Sequence, residues 1–389
     1  MILGNVIPAD GAEAVNIKIE GEKIGMVSSP AIKADGQLSL HFDNSIIFPG
    51  LINSHDHLDF NLFPQLGNRI YNNYTEWGKN IHQEFKAEIA AVLNVPQHLL
   101  ILWGIYKNLL CGVTTVVNHG ERLHLDNAPI NVFEETQDFH SAAFEKYWRL
   151  KLNNPLKRKL PVVIHTGEGS DKLASREIDE LLRWNKLGSS LVGIHAVAMS
   201  KQQAPYFKAI VWCPESNFYL LNKTADIHQL KPFTDILFGT DSTLTGSWNT
   251  WDHVSTARGT GMLTDEELYQ SLNKTAAKTW AINTGEIAAG RQADLVIAKA
   301  NNGGAYYDAF FATRPASIQI VIQKGNIRLF DQELLPVLAG TLKGKSFSLI
   351  KVDGTYKYVE GNIGELMVSV QSYLPGVVFP VTFIQHQII

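Results

Sequence analysis

Ile46-Ile47-Phe48-Pro49-Gly50-Leu51-Ile52-Asn53-Ser54-His55-Asp56-His57-Leu58-Asp59 is the stretch on which the fold turns. An apolar, β-branched run breaks at Pro49-Gly50, resumes, and ends with two histidines at i and i+2. Side chains two apart on an extended strand project from one face, so His55 and His57 can grip a single metal ion at the strand's C-terminal end. The pair alone is weak, because chance makes a His-x-His spacing roughly 0.4 times in a chain this rich in histidine.

Three further runs lend it weight. Val162-Val163-Ile164-His165 and Leu191-Val192-Gly193-Ile194-His195 end on histidine, and Ile236-Leu237-Phe238-Gly239-Thr240-Asp241 ends on aspartate. One strand-terminal histidine is more often a hydrogen-bonded core residue than a ligand, but four apolar runs ending on metal-competent residues point to a shared site. Neutral imidazole plus carboxylate is the ligand set of zinc or non-haem iron, and a catalytic ion keeps one position open.

The 389 residues, 45% apolar and 19% charged, can bury a large core and are long for one compact domain, so one large domain with a smaller companion is expected. A net charge of −4 leaves no electrostatic footprint for nucleic acid or an anionic membrane. A small-molecule substrate is the expected partner, and homo-oligomerisation is left open. Cys111 and Cys213 each sit inside an apolar run, the pattern of buried thiols in a reducing compartment. The first ten residues lack the layout of a signal peptide, and no apolar span approaches the roughly 20 residues of a membrane helix. A cytoplasmic protein is the expectation.

Residues 1 to about 45 read as short strands (Val15 to Glu20, Gly25 to Ser28, Gln37 to Phe42) that cannot bury a face alone. Their partners are expected late in the chain, at Asp294 to Ile297, Ile318 to Ile322 and Asn326 to Phe330. Between them, apolar strands at 51 to 56, 113 to 118, 161 to 165, 191 to 196, 208 to 213 and 235 to 240 alternate with helical stretches near 97 to 110, 137 to 152, 173 to 185 and 264 to 281. That alternation marks a parallel α/β fold. Chemistry at several strand ends suits a (β/α)8 TIM-like barrel; an open doubly wound sheet would carry a glycine-rich phosphate loop after its first strand, and there is none. The barrel should be irregular around its third and fourth strands, since only Asn131 to Glu135 offers a strand in the short space before residue 161. The organisation read here is 1–48 as the N-terminal part of a small β-sandwich domain, 49–284 as the barrel, and 285–389 as the rest of the β domain with a β-prone tail. The long insertion 59 to 96, rich in aromatics and amides, should lie over the pocket mouth.

The ordered motifs carry a family likeness. Phe48-Pro49-Gly50-Leu51-Ile52-Asn53-Ser54-His55-Asp56-His57, Gly112-Val113-Thr114-Thr115-Val116-Val117, His165-Thr166-Gly167-Glu168, Ile194-His195, Cys213-Pro214-Glu215-Ser216-Asn217, Phe238-Gly239-Thr240-Asp241-Ser242 and Gly290-Arg291-Gln292-Ala293-Asp294-Leu295-Val296 resemble the metal-dependent amidohydrolase superfamily. The branch is that of cytosine and guanine deaminases and chlorotriazine hydrolases. The resemblance implies that His55, His57, His165 and Asp241 ligate one divalent metal, zinc with iron as the alternative. It also implies that Glu168 shuttles a proton, that His195 stands beside the water or substrate, and that Asp241 doubles as proton acceptor. No lysine ends a recognisable strand, which favours one metal over two. His119, Trp77, Asn217 and His140 are candidates for substrate contact, and specificity should rest on loops 59 to 96, 119 to 140 and 242 to 252. The implied activity is hydrolytic deamination of an N-heterocycle or amidine by water activated on the metal. The alternatives are a cyclic amidase, a dehalogenating hydrolase, or a catalytically silent scaffold on the same fold.

Overall fold

The structure is a computed structural model, and it describes residues 1–120, 122–123, 125, 127–300 and 307–389. Its strands are β1 Ile2–Pro8, β2 Val15–Glu20, β3 Lys23–Ser28, β4 Ser39–His41, β5 Ser45–Pro49, β6 Leu51–Asp56, β7 Val113–Asn118, β8 Asn131–Phe133, β9 Gln137–Ser141, β10 Val162–Thr166, β11 Leu191–His195, β12 Ala209–Trp212, β13 Asp235–Phe238, β14 Leu295–Lys299, β15 Ile318–Gln323, β16 Asn326–Asp331, β17 Ser346–Val352, β18 Thr355–Glu360 and β19 Thr382–Ile388.

The break at Pro49-Gly50 divides two architectures. Before it, β5 pairs antiparallel with β14, Ile47 opposite Ile297, and so joins the two chain ends in one mixed sheet of eleven strands. Leu3, Ile17, Ile47, Ile297, Ile320 and Phe330 pack on one another as a core belonging to that sheet. After the break, β6, β7 and β8 form one parallel sheet, and β9 to β13 form a second, in chain order. The two meet where Asp56 bridges Asp241 in parallel. β6, β7, β10, β11 and β12 are buried at every residue, which is why they read as continuous apolar runs rather than alternating ones.

Several expectations are corrected. The fourth strand of the parallel set is β9, inside the stretch 137 to 152 expected to be helical; only Trp148–Leu152 forms a helix there. Gln137 to Ser141 lacks an apolar run, and its extended form comes from parallel pairing with β10. No helix separates β8 from β9. Insertion 59 to 96 contains two helices, α1 Tyr74–Glu84 and α2 Lys86–Leu93, followed by α3 Gln97–Leu110. The helical stretch 264 to 281 is broken at Asn273 into Asp265–Ser271 and Lys274–Trp280. Its start is held by a reciprocal cap, Thr264 Oγ1 accepting from Glu267 N–H and Glu267 accepting from Thr264 N–H at 2.8 Å. In the tail, Met367 to Val370 lies in a helix, Ile363–Tyr373, that buries Ile363, Leu366, Met367 and Val370 on one face. No single helix among the described residues is long and apolar enough to cross a membrane.

Candidate active site

The strand ends deliver their side chains to one point. Ligand-capable atoms of His55, His57, His165 and Asp241 all lie within 4.8 Å of one another. His57 Nε2 is 3.3 Å from His165 Nε2, and Asp241 Oδ1 is 3.5 Å from His55 Nε2 and 3.7 Å from His57 Nε2. All four residues are buried. His195 and Asp241 adopt φ of 68° and 61°, a left-handed backbone that bulky L-residues avoid. Such strain persists where the surrounding structure over-determines it. The strand passing Asp241 also comes very close to β6, because a Cβ on Gly239 would lie 2.9 Å from His55 Cβ.

Hydrogen bonds from behind fix which atom each ring presents. His165 Nδ1 lies 2.6 Å from the His140 carbonyl, which can only accept, so Nδ1 carries the proton and Nε2 offers a lone pair. Asp241 Oδ2 accepts from Ser216 Oγ and Thr245 Oγ1 at 2.8 and 3.0 Å, leaving Oδ1 for the cluster. His195 Nδ1 lies 2.8 Å from Asn217 Nδ2. The amide's orientation follows from a relay: Trp212 Nε1–H donates to Thr224 Oγ1 at 2.6 Å, and Thr224 donates on to Asn217 Oδ1 at 3.2 Å. Asn217 therefore donates to Nδ1, and His195 bears its proton on Nε2, which stands 3.7 Å from Glu168 Oε2.

Burial sets the charge states. It pulls the His57 ring down to about 3, helped by the neighbouring His55, and His195 down to about 4. His165 falls well below its ordinary value for the same first reason, with the surrounding histidines adding to it. Glu168 is driven well above the carboxylate range by burial, then by the charges of Asp241 and Glu177. Burial also opposes ionisation of Asp241, but the approach of His55 at 3.5 Å and the adjacent rings outweigh it and hold the carboxyl far below its usual value. Neutral imidazoles around an ionised carboxylate are a metal ligand set.

These residues fit a divalent ion on geometric grounds too. Both ring nitrogens of His55, a residue 1% exposed, lack a hydrogen-bond partner. An orphaned buried polar atom is costly. A cation at the centre of the cluster would satisfy it, together with the facing lone pair on His165.

A cavity of about 660 Å³ opens from this cluster, lined by His57, His165, Glu168, His195 and Asp241 at its inner end. Trp77 and His140 line it as well, whereas His119 and Asn217 are not among its lining residues. His119 packs edge-on against His55 and His165 from behind, with Nδ1 3.6 Å from Asp138 Oδ1. Asn217 is fully buried behind His195. Of the expected specificity loop 119 to 140, residues 121, 124 and 126 lie outside the described residues.

A network beneath the ligands is absent from the motif reading. Lys107 of α3, wholly buried, donates to Asp56 Oδ2 at 3.0 Å and Asn61 Oδ1 at 2.8 Å, and Asn108 donates to the same Asp56 oxygen. Asn53 Nδ2 donates to Thr240 Oγ1 at 2.8 Å, and Thr240 N–H returns to Asn53 Oδ1. Asp56 sits between His55 and His57, and Thr240 directly precedes Asp241, so the network ties both strand ends to α3.

The amidohydrolase family model matches residues 156–328. The matched stretch carries β10 to β15, and with them His165, Glu168, His195 and Asp241, so this part of the chain is similar to that family. The His55, His57, His165 and Asp241 group accords with one divalent ion, zinc before iron. No curated protein sequence matches this chain. Among solved structures it is similar to an adenosine deaminase from Xanthomonas campestris with bound zinc, at 14% identity over 96% of each chain with a TM-score of 0.70. An atrazine chlorohydrolase from Arthrobacter aurescens complexed with zinc gives 14% identity, 87% of this chain and 98% of that one, and a TM-score of 0.65. A guanine deaminase from C. acetobutylicum with bound guanine gives 16%, 84%, 99% and 0.63 in the same order. At these identities the likeness is one of fold.

Proposed function

We propose that this chain is a metal-dependent amidohydrolase that deaminates an N-heterocycle or a related amidine hydrolytically. The oxygen of water bonds to the ring carbon, the exocyclic C–N bond breaks, and the nitrogen leaves as ammonia. The observation that carries this reading is the place of Glu168: a buried carboxyl in the cavity, three residues past a strand-terminal ligand, facing His195. A carboxyl so placed can hand a proton to a ring nitrogen or a departing amine.

A divalent ion held by His55, His57, His165 and Asp241 supplies Lewis acidity that makes water a nucleophile at neutral pH. Asp241, ionised and held through Oδ2 by Ser216 and Thr245, accepts the proton of the attacking water at Oδ1. Glu168, carrying a proton, delivers it to the substrate nitrogen. His195 directs its Nε2–H at the reacting centre and polarises it, with Asn217 as the residue that positions it. Trp77 contributes a cavity wall to the substrate, while His119 supports the ligand rings.

We read the two parallel sheets as one irregular (β/α)8 barrel over 49–284, flanked by a second unit, a β-sandwich built from 1–48 and 285–389. The chain-ordered strands, their junction at Asp56 and Asp241, and the β5–β14 pairing support this division. The function is tested by loading purified protein with zinc and following ammonia from aminopurines, aminopyrimidines, pterins and aminotriazines. Chloride released from chlorotriazines with no ammonia from any amine would move the reading to dehalogenation. Far less than one equivalent of metal would move it to a silent scaffold.

A further inference from the structure

Away from the metal ligands the cavity changes character. Its outer wall is formed by Phe60, Phe63, Trp77, Ile81, Phe144 and Leu244. Phe60 stacks on the outer side of the His57 ring, centroids 5.3 Å apart and planes 19° off parallel, and meets Phe63 edge-on at 5.7 Å. The polar atoms of this wall are committed elsewhere. Tyr74 Oη donates to Glu177 at 2.7 Å, Trp77 Nε1 donates to the Leu66 carbonyl at 2.6 Å, and Thr245 Oγ1 lies 3.0 Å from Asp241 Oδ2. No arginine lines the cavity among the described residues; Lys79, His82 and Gln83 sit exposed at its rim, while His140, its ring 5.2 Å from that of His165, and Ser242, next to Asp241, lie at the inner end.

Such a wall selects by desolvation. A ribose pressed against these ring faces, inside the polar rim, would give up water and find no replacement there, at a cost of roughly tenfold in affinity for each stranded hydroxyl. A methylene group buried in the same place gains roughly fourfold, and flat aromatic faces suit a planar ring. Room for a substituent comes from α1, where Gly78 faces the cavity. A Cβ built on Gly78 meets nothing closer than Phe144 Cζ at 3.8 Å.

We propose that the cavity takes a neutral, planar, amino-substituted azine ring bearing a branched-alkyl or aryl substituent, and that Gly78 leaves the space this substituent fills. The ring chemistry rests on the deaminase reading, and the substituent rests on the cavity wall.

The test uses zinc-loaded full-length protein and matched aminopurines, aminopyrimidines and aminotriazines carrying hydrogen, isopropyl, benzyl, ribosyl or phosphoribosyl at one ring position. Ammonia release gives kcat/KM, and calorimetry gives Kd. The isopropyl or benzyl member should exceed its ribosyl counterpart by roughly 100-fold in kcat/KM and in affinity. Gly78→Leu, a change favourable to helix propensity, should lower the benzyl-to-hydrogen ratio by about tenfold through overpacking. Gly78→Ala should lower it less and serves if the leucine variant does not fold. A ribosyl compound turned over as well as its benzyl counterpart would overturn the proposal and leave the deaminase reading standing. Absence of ammonia from every member, with benzyl still bound over ribosyl, would sink the deaminase reading while the cavity assignment stands. Neither turnover nor a binding preference would overturn both.

Discussion

At the inner end of the cavity each reacting group is fixed from behind: His165 by the His140 carbonyl, His195 by Asn217, Asp241 by Ser216 and Thr245. The outer wall is built differently, from the insertion helices α1 and α2 and from Phe144, a residue 51% exposed. Parallel strands whose ends cannot move independently carry the first region. The second is carried by helices outside the parallel sheets, tied to the segment that follows β10 by the hydrogen bonds of Tyr74 to Glu177 and of Asn73 to Asp171. The difference assigns chemistry to the strand ends and selectivity to the insertion, so substitutions in the two regions should change different measured quantities.

The largest expected effect comes from the ligands. His165→Ala or Asp241→Ala should reduce bound metal well below the one equivalent expected of the native protein, and turnover should vanish with it. Metal analysis beside an activity assay decides this. Retention of a full equivalent by either variant would remove that residue from the ligand set, and two equivalents in the native protein would end the single-ion reading.

Glu168→Gln sharpens the comparison within the inner end. The amide preserves size and hydrogen bonding but cannot exchange a proton, and positioned acid or base groups contribute about 10²–10⁴-fold. We expect kcat to fall by that factor with metal content unchanged. A variant that loses its metal would make Glu168 a ligand or ligand support; near-native kcat would remove it from proton transfer altogether.

Beneath the ligands, Lys107→Met leaves the Asp56 carboxylate buried without its cation. Breaking a buried ion pair from one side costs about 3–5 kcal/mol, which urea unfolding should register together with weakened metal retention. Equal stability of variant and native protein would show that the amides of Asn53, Asn61 and Asn108 suffice to support Asp56.

Legibility followed the same division. His55, His57, His165, His195 and Asp241 were readable because each ends or closely follows a largely buried apolar strand, where a polar residue stands out. β9 was not, since Gln137-Asp138-Phe139-His140-Ser141 alternates in no apolar pattern and is extended only through its neighbour β10. Lys107 reads as a solvent-facing lysine on an apolar helix, because burial of its ammonium depends on Asp56, about fifty residues away in sequence. The helix Ile363–Tyr373 lies in the tail expected to be β-prone, although Ile363, Leu366, Met367 and Val370 are spaced for a helix face. The insertion's aromatics signalled a place over the pocket, but its two helices and the open space at Gly78 depend on tertiary packing.

The smallest expected effect tests whether the inner end is fixed as closely as its hydrogen bonds imply. Trp212 Nε1–H can only donate, so Thr224 Oγ1 must accept from it and pass its own hydrogen to Asn217 Oδ1. The amide nitrogen then faces His195, and the imidazole keeps its proton on Nε2. Thr224→Val removes the hydroxyl at nearly constant volume, freeing the amide to turn and present its oxygen to Nδ1 instead. One neutral hydrogen bond is worth about 1 kcal/mol, so kcat should fall by roughly five- to tenfold, with KM and metal content little altered. The 15N shifts of the His195 ring should move toward the Nδ1-protonated tautomer. Asn217→Asp provides the limit, since a carboxylate can only accept and forces the proton to Nδ1 in every molecule; its loss should exceed that of Thr224→Val. Native kcat and native ring shifts in Thr224→Val would mean that the relay does not set the tautomer, and that His195 acts through its position alone.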